Sequence, residues 1–335
     1  LCLKEINEKL KVKHSSIMLI DDDGDGLIVK TCHGDRSKQA LGKTQKIDEG
    51  VAGRVVAERK PILVTDIRRD NRFNRSERPD YKTKSFVSAP LIVEERVLGV
   101  INVIDKASGD SFCETDVNLL CTIAGQVSIA VENARLYEAL EENCFNMVTA
   151  LAKSLEAKDK YTSGHSQRVA EYSSVMARTM GVSDKDMTTL RHAALLHDIG
   201  KIGISEFIIN KTDKLNDTEF ATIKSHPCQG EQIIKPLTFL DDAIHHIRSH
   251  HESFDGRGYP DRLGGDDLSL LTRIMTVADA FDAMTSDRTY RSSMKTNKAV
   301  SELRRVAGKQ FDPEVVDAFA SSEIVKMKSD LESNY

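Results

Sequence analysis

The sequence predicts a multidomain α+β chain in three parts. An N-terminal antiparallel sheet with helices comes first, then a long connecting helix, then a C-terminal all-α bundle. Over the first third, short apolar runs alternate with turn residues. From residue 114 to about 160 there is no proline and one glycine, Gly125, and apolar residues step by three and four. Beyond that the pattern stays helical, and eight of the ten histidines fall between residues 165 and 251.

A chain of 335 residues is long enough for two domains. Charged residues at 30% and hydrophobic residues at 40% mark a soluble globular protein. Tryptophan is absent, so aliphatic side chains must fill the cores. The net charge of -5 argues against a nucleic-acid polymer as partner and leaves any anionic substrate to local charge. No apolar run reaches transmembrane length and no secretory signal opens the chain. Cys2, Cys32, Cys113, Cys121, Cys144 and Cys228 show no CxxC spacing, which reads as reduced thiols and a cytoplasmic location. The chain starts at Leu1, not Met, which leaves open whether it is a piece of a longer protein.

In the first domain, residues 15–20 read as a strand, 21–26 as a turn and 27–31 as its hairpin partner. Asp21, Asp23, Asp25 and Gly26 imitate the start of a calcium loop. The loop's closing glutamate should fall at Cys32, however, and the flanks read as strand, so a tight turn is expected. Residues 51–58 form a helix and 61–66 a strand. An Arg-rich loop over 68–84 is expected to cover a pocket. Strands 85–93 and 97–104 meet at Glu94-Glu95-Arg96. The order resembles a GAF domain, particularly Glu49-Gly50-Val51-Ala52-Gly53, Ser88-Ala89-Pro90-Leu91 and Leu98-Gly99-Val100-Ile101-Asn102-Val103. The resemblance covers about residues 1–135. It implies a sensor fold without naming a ligand.

The connecting segment, 114–160, overlaps both domains. Leu120, Ile123, Val127, Ala130, Ala134, Tyr137, Cys144, Val148, Leu151 and Leu155 trace a heptad seam broken at Glu141. The pattern is longer than one domain's helix needs, so it is read as a homodimer stalk; the alternative is a helix packed on its own domain.

In the last half, a helix over 163–180 capped by Ser163 is expected to stop at Gly181. Further helices are expected over 188–199, 217–226, 241–251, 271–285 and 298–307. His197 and Asp198 are neighbours near a helix end. Adjacent helical residues point about 100° apart, so both cannot grip one ion alike, but a carboxylate can bridge two ions while the histidine binds one. His250-His251 repeats the arrangement. His245-His246 competes with it, since His246 and His250 are four apart, itself a metal spacing. A lone His192 is more often a core or surface histidine.

The motifs together are similar to those of the HD-GYP domain, a helical phosphohydrolase group that degrades cyclic di-GMP. They are His165-Ser166-Gln167-Arg168-Val169, Leu196-His197-Asp198-Ile199-Gly200-Lys201, His226-Pro227, and His250-His251-Glu252 with Asp255-Gly256-Arg257-Gly258-Tyr259-Pro260. Ala278-Asp279-Ala280-Phe281-Asp282-Ala283-Met284-Thr285 completes the set. The resemblance places this domain over 145–335 and favours His250-His251 over His245-His246. It assigns His165, His197, Asp198 and Asp279 to one metal and His226, His250 and His251 to a second, with Asp198 bridging. A third metal in some members uses a glutamate four residues before the first histidine; here that residue is Tyr161, so two are expected. Mixed imidazole and carboxylate ligands without cysteine suit iron or manganese.

Two such ions acidify water and clamp phosphate oxygens. Asp198 and Lys201 are the expected catalytic residues, Lys201 also holding a phosphate oxygen. Tyr259, Asp282, Arg288 and Arg291 complete the expected substrate contacts: arginines suit phosphate and a guanine edge, Asp282 a guanine N–H or an arginine, and Tyr259 a base or its own loop. Asp255 reads as a turn former. The expected activity is hydrolysis of cyclic di-GMP to pGpG or GMP under sensor control. The alternatives are another cyclic dinucleotide such as 3′,3′-cGAMP, or a catalytically weak binding module.

Overall fold

The computed structural model describes every residue except 1, 35–36, 74–83, 157–163, 287–292 and 334–335. The chain divides into two compact units, Leu1–Leu140 and Glu141–Tyr335. In the first, α1 (Cys2–Leu10) precedes β1 (Val12–Ile20) and β2 (Gly26–His33). Then come α2 (Ser37–Ala40), β3 (Thr44–Lys46), α3 (Gly50–Glu58), β4 (Ile62–Val64), β5 (Phe86–Val93) and β6 (Arg96–Lys106). The sheet is antiparallel throughout, in the order β3-β2-β1-β6-β5-β4. The aspartate run is a turn: the Asp21 carboxylate accepts from Asp25 N at 3.1 Å and Gly26 N at 3.0 Å.

Both sheet faces are covered, which explains why β6 reads as a nearly unbroken apolar run. Leu98, Ile101 and Val103 turn toward Leu3, Ile6 and Leu10 of α1 and toward Leu120 and Val127. Val100 turns the other way, toward Val51 and Val55 of α3. A strand with helices on both sides gains burial at every position.

The helix α4 runs over Glu114–Glu156. Its predicted seam divides. Leu120, Ile123 and Val127 are buried in the first unit's core and Val148 in the second unit's, and Leu155 is buried as well. Tyr137 and Leu151 are exposed. The exposed apolar residues instead form another stripe: Ile129, Leu136, Leu140 and Met147, with Asn133 between the first two. Periodicity locates an apolar face but does not tell which body covers it.

The second unit is helical: α5 (His165–Thr179), α6 (Asp184–Leu196), α7 (Glu206–Ile209), α8 (Asp217–Lys224), α9 (His226–Ile234), α10 (Asp241–Ser249), α11 (Leu270–Thr285), α12 (Thr296–Arg305), α13 (Pro313–Ala320) and α14 (Glu323–Ser333). Of these, α7, α9, α13 and α14 were not expected from sequence. The core gathers Met176, Leu190, Leu196, Ile247, Ile274, Phe281 and Phe319. Ser183 caps α6, four residues earlier than the expected helix start. That helix ends at Leu196, and the chain tightens into a 3-10 turn over Ile199–Gly203, so the His-Asp pair sits at a helix end. Ser163, the expected cap of α5, lies outside the described residues. Instead the Glu156 carboxylate accepts from Gly164 N at 2.7 Å and Ser166 N at 3.1 Å.

Candidate metal centre

The histidine ligands sit where helices begin or end. His165 and His226 open α5 and α9, while His197 and His250 follow the last turns of α6 and α10. Asp279 and Asp282 lie three apart on α11. A β-carbon on Gly200 would collide with the His226 carbonyl and Gly230 N, so glycine lets the His-Asp turn pack against the start of α9.

Two groups form. His226, His250 and His251 bring one ligand nitrogen each within 4.8 Å of the others, and His165, His197 and Asp279 do the same. Asp198 lies between them. Its Oδ1 is 3.3 Å from His226 Nε2 of one group, and its Oδ2 is 3.5 Å from His197 Nε2 of the other. His165 Nε2 lies 3.2 Å from Asp279 Oδ1.

Three rings share one device. Nδ1 of His197, His226 and His250 lies 2.8, 2.7 and 2.6 Å from the carbonyl oxygens of Ala194, Ile223 and Ile247, each three residues back. A carbonyl only accepts, so Nδ1 carries the proton and Nε2 keeps its lone pair in the neutral ring. His226 Nε2 and His250 Nε2 then face each other at 3.1 Å. Two lone pairs so close repel unless a cation or proton lies between them. This donor chemistry fits a metal ion.

The fourth ring differs. Nδ1 of His165 donates to a carboxylate, Asp282 Oδ2, at 2.8 Å. Asp282 is fully buried and also accepts from Arg168 Nε at 2.7 Å and from another Arg168 guanidinium nitrogen at 3.0 Å. It therefore orients His165 and is not free for a guanine edge. Of its two anticipated partners it takes an arginine.

Burial opposes charge on every group here. At Asp198 the Lys201 ammonium and the neighbouring imidazoles outweigh burial and hold the carboxyl well below its usual range. At Asp279, His165 and His197 do the same. Burial would lower His165, but Asp279 and Asp282 overcome it and push it up to about 10. His250 and His251 go the other way: burial and neighbouring imidazoles lower both, His251 to about 4. One group thus includes a carboxylate, whereas in the other burial disfavours charge on His250 and His251.

Lys201 Nζ lies 2.6 Å from Asp198 Oδ2. The Tyr259 ring stacks on His251 at 4.9 Å between centroids, 29° apart. Asp255 accepts from Arg257 N at 3.1 Å, as a turn former does. A β-carbon on Gly258 would strike the backbone of Glu252 and Ser253, and the Glu252 carboxylate accepts from Asp261 N and Arg262 N at 2.6 and 2.9 Å. Arg288, Arg291 and Tyr161 lie outside the described residues. Reasoning from sequence gave no role to Arg168, Glu156 or Glu252. Only Arg168, one turn after His165, carried a spacing that could have drawn notice.

His246 stays outside both groups. Its Nδ1 lies 2.8 Å from Thr272 Oγ1 and 3.0 Å from Ser269 Oγ, the N-cap of α11. Burial, and secondarily His245, pushes its pKa down to about 4. The unfolded chain takes up this proton near pH 6.5. The folded chain therefore binds fewer protons between about pH 4 and 6.5, and stability falls as pH drops through that window. At about 1.4 kcal/mol per pH unit, the loss is on the order of 3 kcal/mol. Urea unfolding at pH 7 and 5 should show a flatter dependence for His246→Asn than for the parent; equal slopes would exclude this role.

Residues 149–315 match the family model described as HD domain, and residues 1–132 match the GAF domain model. The chain is 44% identical over 168 residues to 3′3′-cGAMP-specific phosphodiesterase 3 of Vibrio cholerae, covering 50% of this chain and 36% of that protein. It is 31% identical to 3′3′-cGAMP-specific phosphodiesterase 2 of the same organism, covering 70% and 45%. It is 37% identical to a cyclic di-GMP phosphodiesterase of Thermotoga maritima, covering 55% and 50%. The chain spans half or less of the length of each of these relatives. No helix among the described residues is long and apolar enough to cross a membrane.

Proposed function

We propose, from the premise that this chain joins a GAF domain to an HD domain, that it is a metal-dependent phosphodiesterase of cyclic dinucleotides. Its proposed substrate is cyclic di-GMP, cleaved to pGpG or GMP. The observation that carries the reading is the Asp198 carboxylate, with one oxygen facing each of two three-ligand groups. His165, His197 and Asp279 would hold one ion and His226, His250 and His251 the other, with Asp198 shared; iron or manganese suits these donors. Bound there, the ions supply Lewis acidity to the phosphate and lower the pKa of water.

The chain's own residues do the rest. Asp282 and Arg168 fix the His165 ring, and the three backbone-bonded histidines keep Nε2 directed inward. Lys201 neutralises Asp198 and is proposed to move its charge to a non-bridging phosphate oxygen when substrate arrives. Arg288 and Arg291 are proposed to contact the substrate through a phosphate or a guanine edge. The GAF domain is proposed to bind a ligand that regulates turnover. The exposed stripe of Ile129, Asn133, Leu136, Leu140 and Met147 is proposed as the seam of a parallel homodimer, with Asn133 at a seam position suited to fixing register.

A second reading, 3′,3′-cGAMP as substrate, is favoured by the relatives that carry that name. The test is anaerobic reconstitution with Fe(II) or Mn(II), incubation with each dinucleotide, and chromatography of the products. Formation of pGpG or GMP from cyclic di-GMP is expected. Preferential cleavage of 3′,3′-cGAMP would replace the first reading with the second. Inertness toward both, with metal bound, would count against the enzyme.

A further inference from the structure

Lys224 closes α8, two residues before His226, and its environment differs from that of the other lysines near the site. Lys201 Nζ is 2.6 Å from Asp198 and Lys211 Nζ is 2.7 Å from Glu219, so each cation already faces a carboxylate. Lys224 rests on aromatic faces. Its Nζ lies 4.7 Å from the Phe220 ring centroid and 5.1 Å from that of Tyr259. Among the described residues no carboxylate is paired with it. A ring quadrupole positions an ammonium without neutralising its charge.

The position matters because Tyr259 stacks on His251. Lys224, Tyr259 and His251 therefore form a short pile from the exposed surface down to the metal-ligand group. Lys224 and Phe220 are both exposed at its outer end. A cyclic dinucleotide carries two phosphodiesters in one macrocycle. If one sits at the metal centre, the other lies a few bonds away, still charged, and needs a cation that the centre does not consume.

We propose that Lys224 receives the phosphate that is not being cleaved. The inference rests on the cyclic-dinucleotide reading above and adds a residue that sets substrate size. A compact ammonium suits a phosphate approached from several directions.

The test compares the Mn(II)-loaded parent with Lys224→Met and Lys224→Arg, using a cyclic dinucleotide and bis(p-nitrophenyl) phosphate, which has a single phosphate. Lys224→Met should raise KM for the dinucleotide about tenfold, with kcat changed less than about twofold. Lys224→Arg should recover most of the loss. The monophosphate probe should not distinguish Lys224→Met from the parent. Unchanged KM for the dinucleotide would overturn the inference alone. Equal losses on both substrates would also overturn it, assigning Lys224 to the support of Tyr259 and His251. A parent that cleaves neither dinucleotide would remove the functional reading and this inference with it.

Discussion

Asp198→Ala is expected to abolish turnover of the cyclic dinucleotide, by at least about a thousandfold, or some 4 kcal/mol of transition-state stabilisation. The size follows from position. Asp198 is buried, its two oxygens face different ligand groups, and Lys201 is paired to it. Removing the carboxylate takes a ligand from both proposed ions and leaves Lys201 without this partner. Bound metal should fall below two per chain in elemental analysis of the same preparation. Full activity with undiminished metal would exclude the bridging role; lost activity with undiminished metal would shift Asp198 from ligand to direct participation in chemistry.

The second large effect is expected at Asp282, which accepts from both His165 and Arg168. Asp282→Ala leaves the Arg168 guanidinium and His165 Nδ1 without their shared acceptor inside the domain. Breaking a buried charge pair from one side costs roughly 3–5 kcal/mol, and losing the partner of a metal-ligating histidine costs about 10–100-fold in metal affinity. Asp282→Asn keeps the shape and should recover part of the stability but less of the affinity. Urea unfolding of the metal-free variants and calorimetric titration with Mn(II) separate the two effects. Parent-like values in both would mean that Asp282 neither supports the domain nor orients the ligand.

These residues also show how far the sequence could be read. His197-Asp198 and His250-His251 stood out because adjacent polar residues near helix ends are unusual in an apolar pattern. The structure brings both pairs to one place. It holds His246, which has an equally plausible spacing, against Thr272. The Asp282–Arg168 contact spans 114 residues, and no local pattern announces a partner so far along the chain. Glu156 was invisible as a cap because it belongs to the preceding helix. In the first domain, alternation placed β1, β2, β5 and β6 to within a few residues but missed α1, α2 and β3, whose short segments carry little periodicity. The α4 seam was visible as a pattern, yet two of its stretches are covered by the chain itself.

The three imidazoles bonded to carbonyls at helix ends have a consequence for how the site comes into being. Carbonyls in a last helical turn lack partners four residues on, and each ring supplies the missing donor. The rings are thereby aimed by secondary structure itself, before any ion arrives. In small metal-folded domains, much of an ion's binding free energy goes into ordering a chain that is otherwise unfolded. Here that entropy is already spent when the helices form. Metal uptake should therefore resemble a ligand entering a finished socket: exchange of one ion for another need not disturb the fold, and selection among metals is left to the donors and the supply.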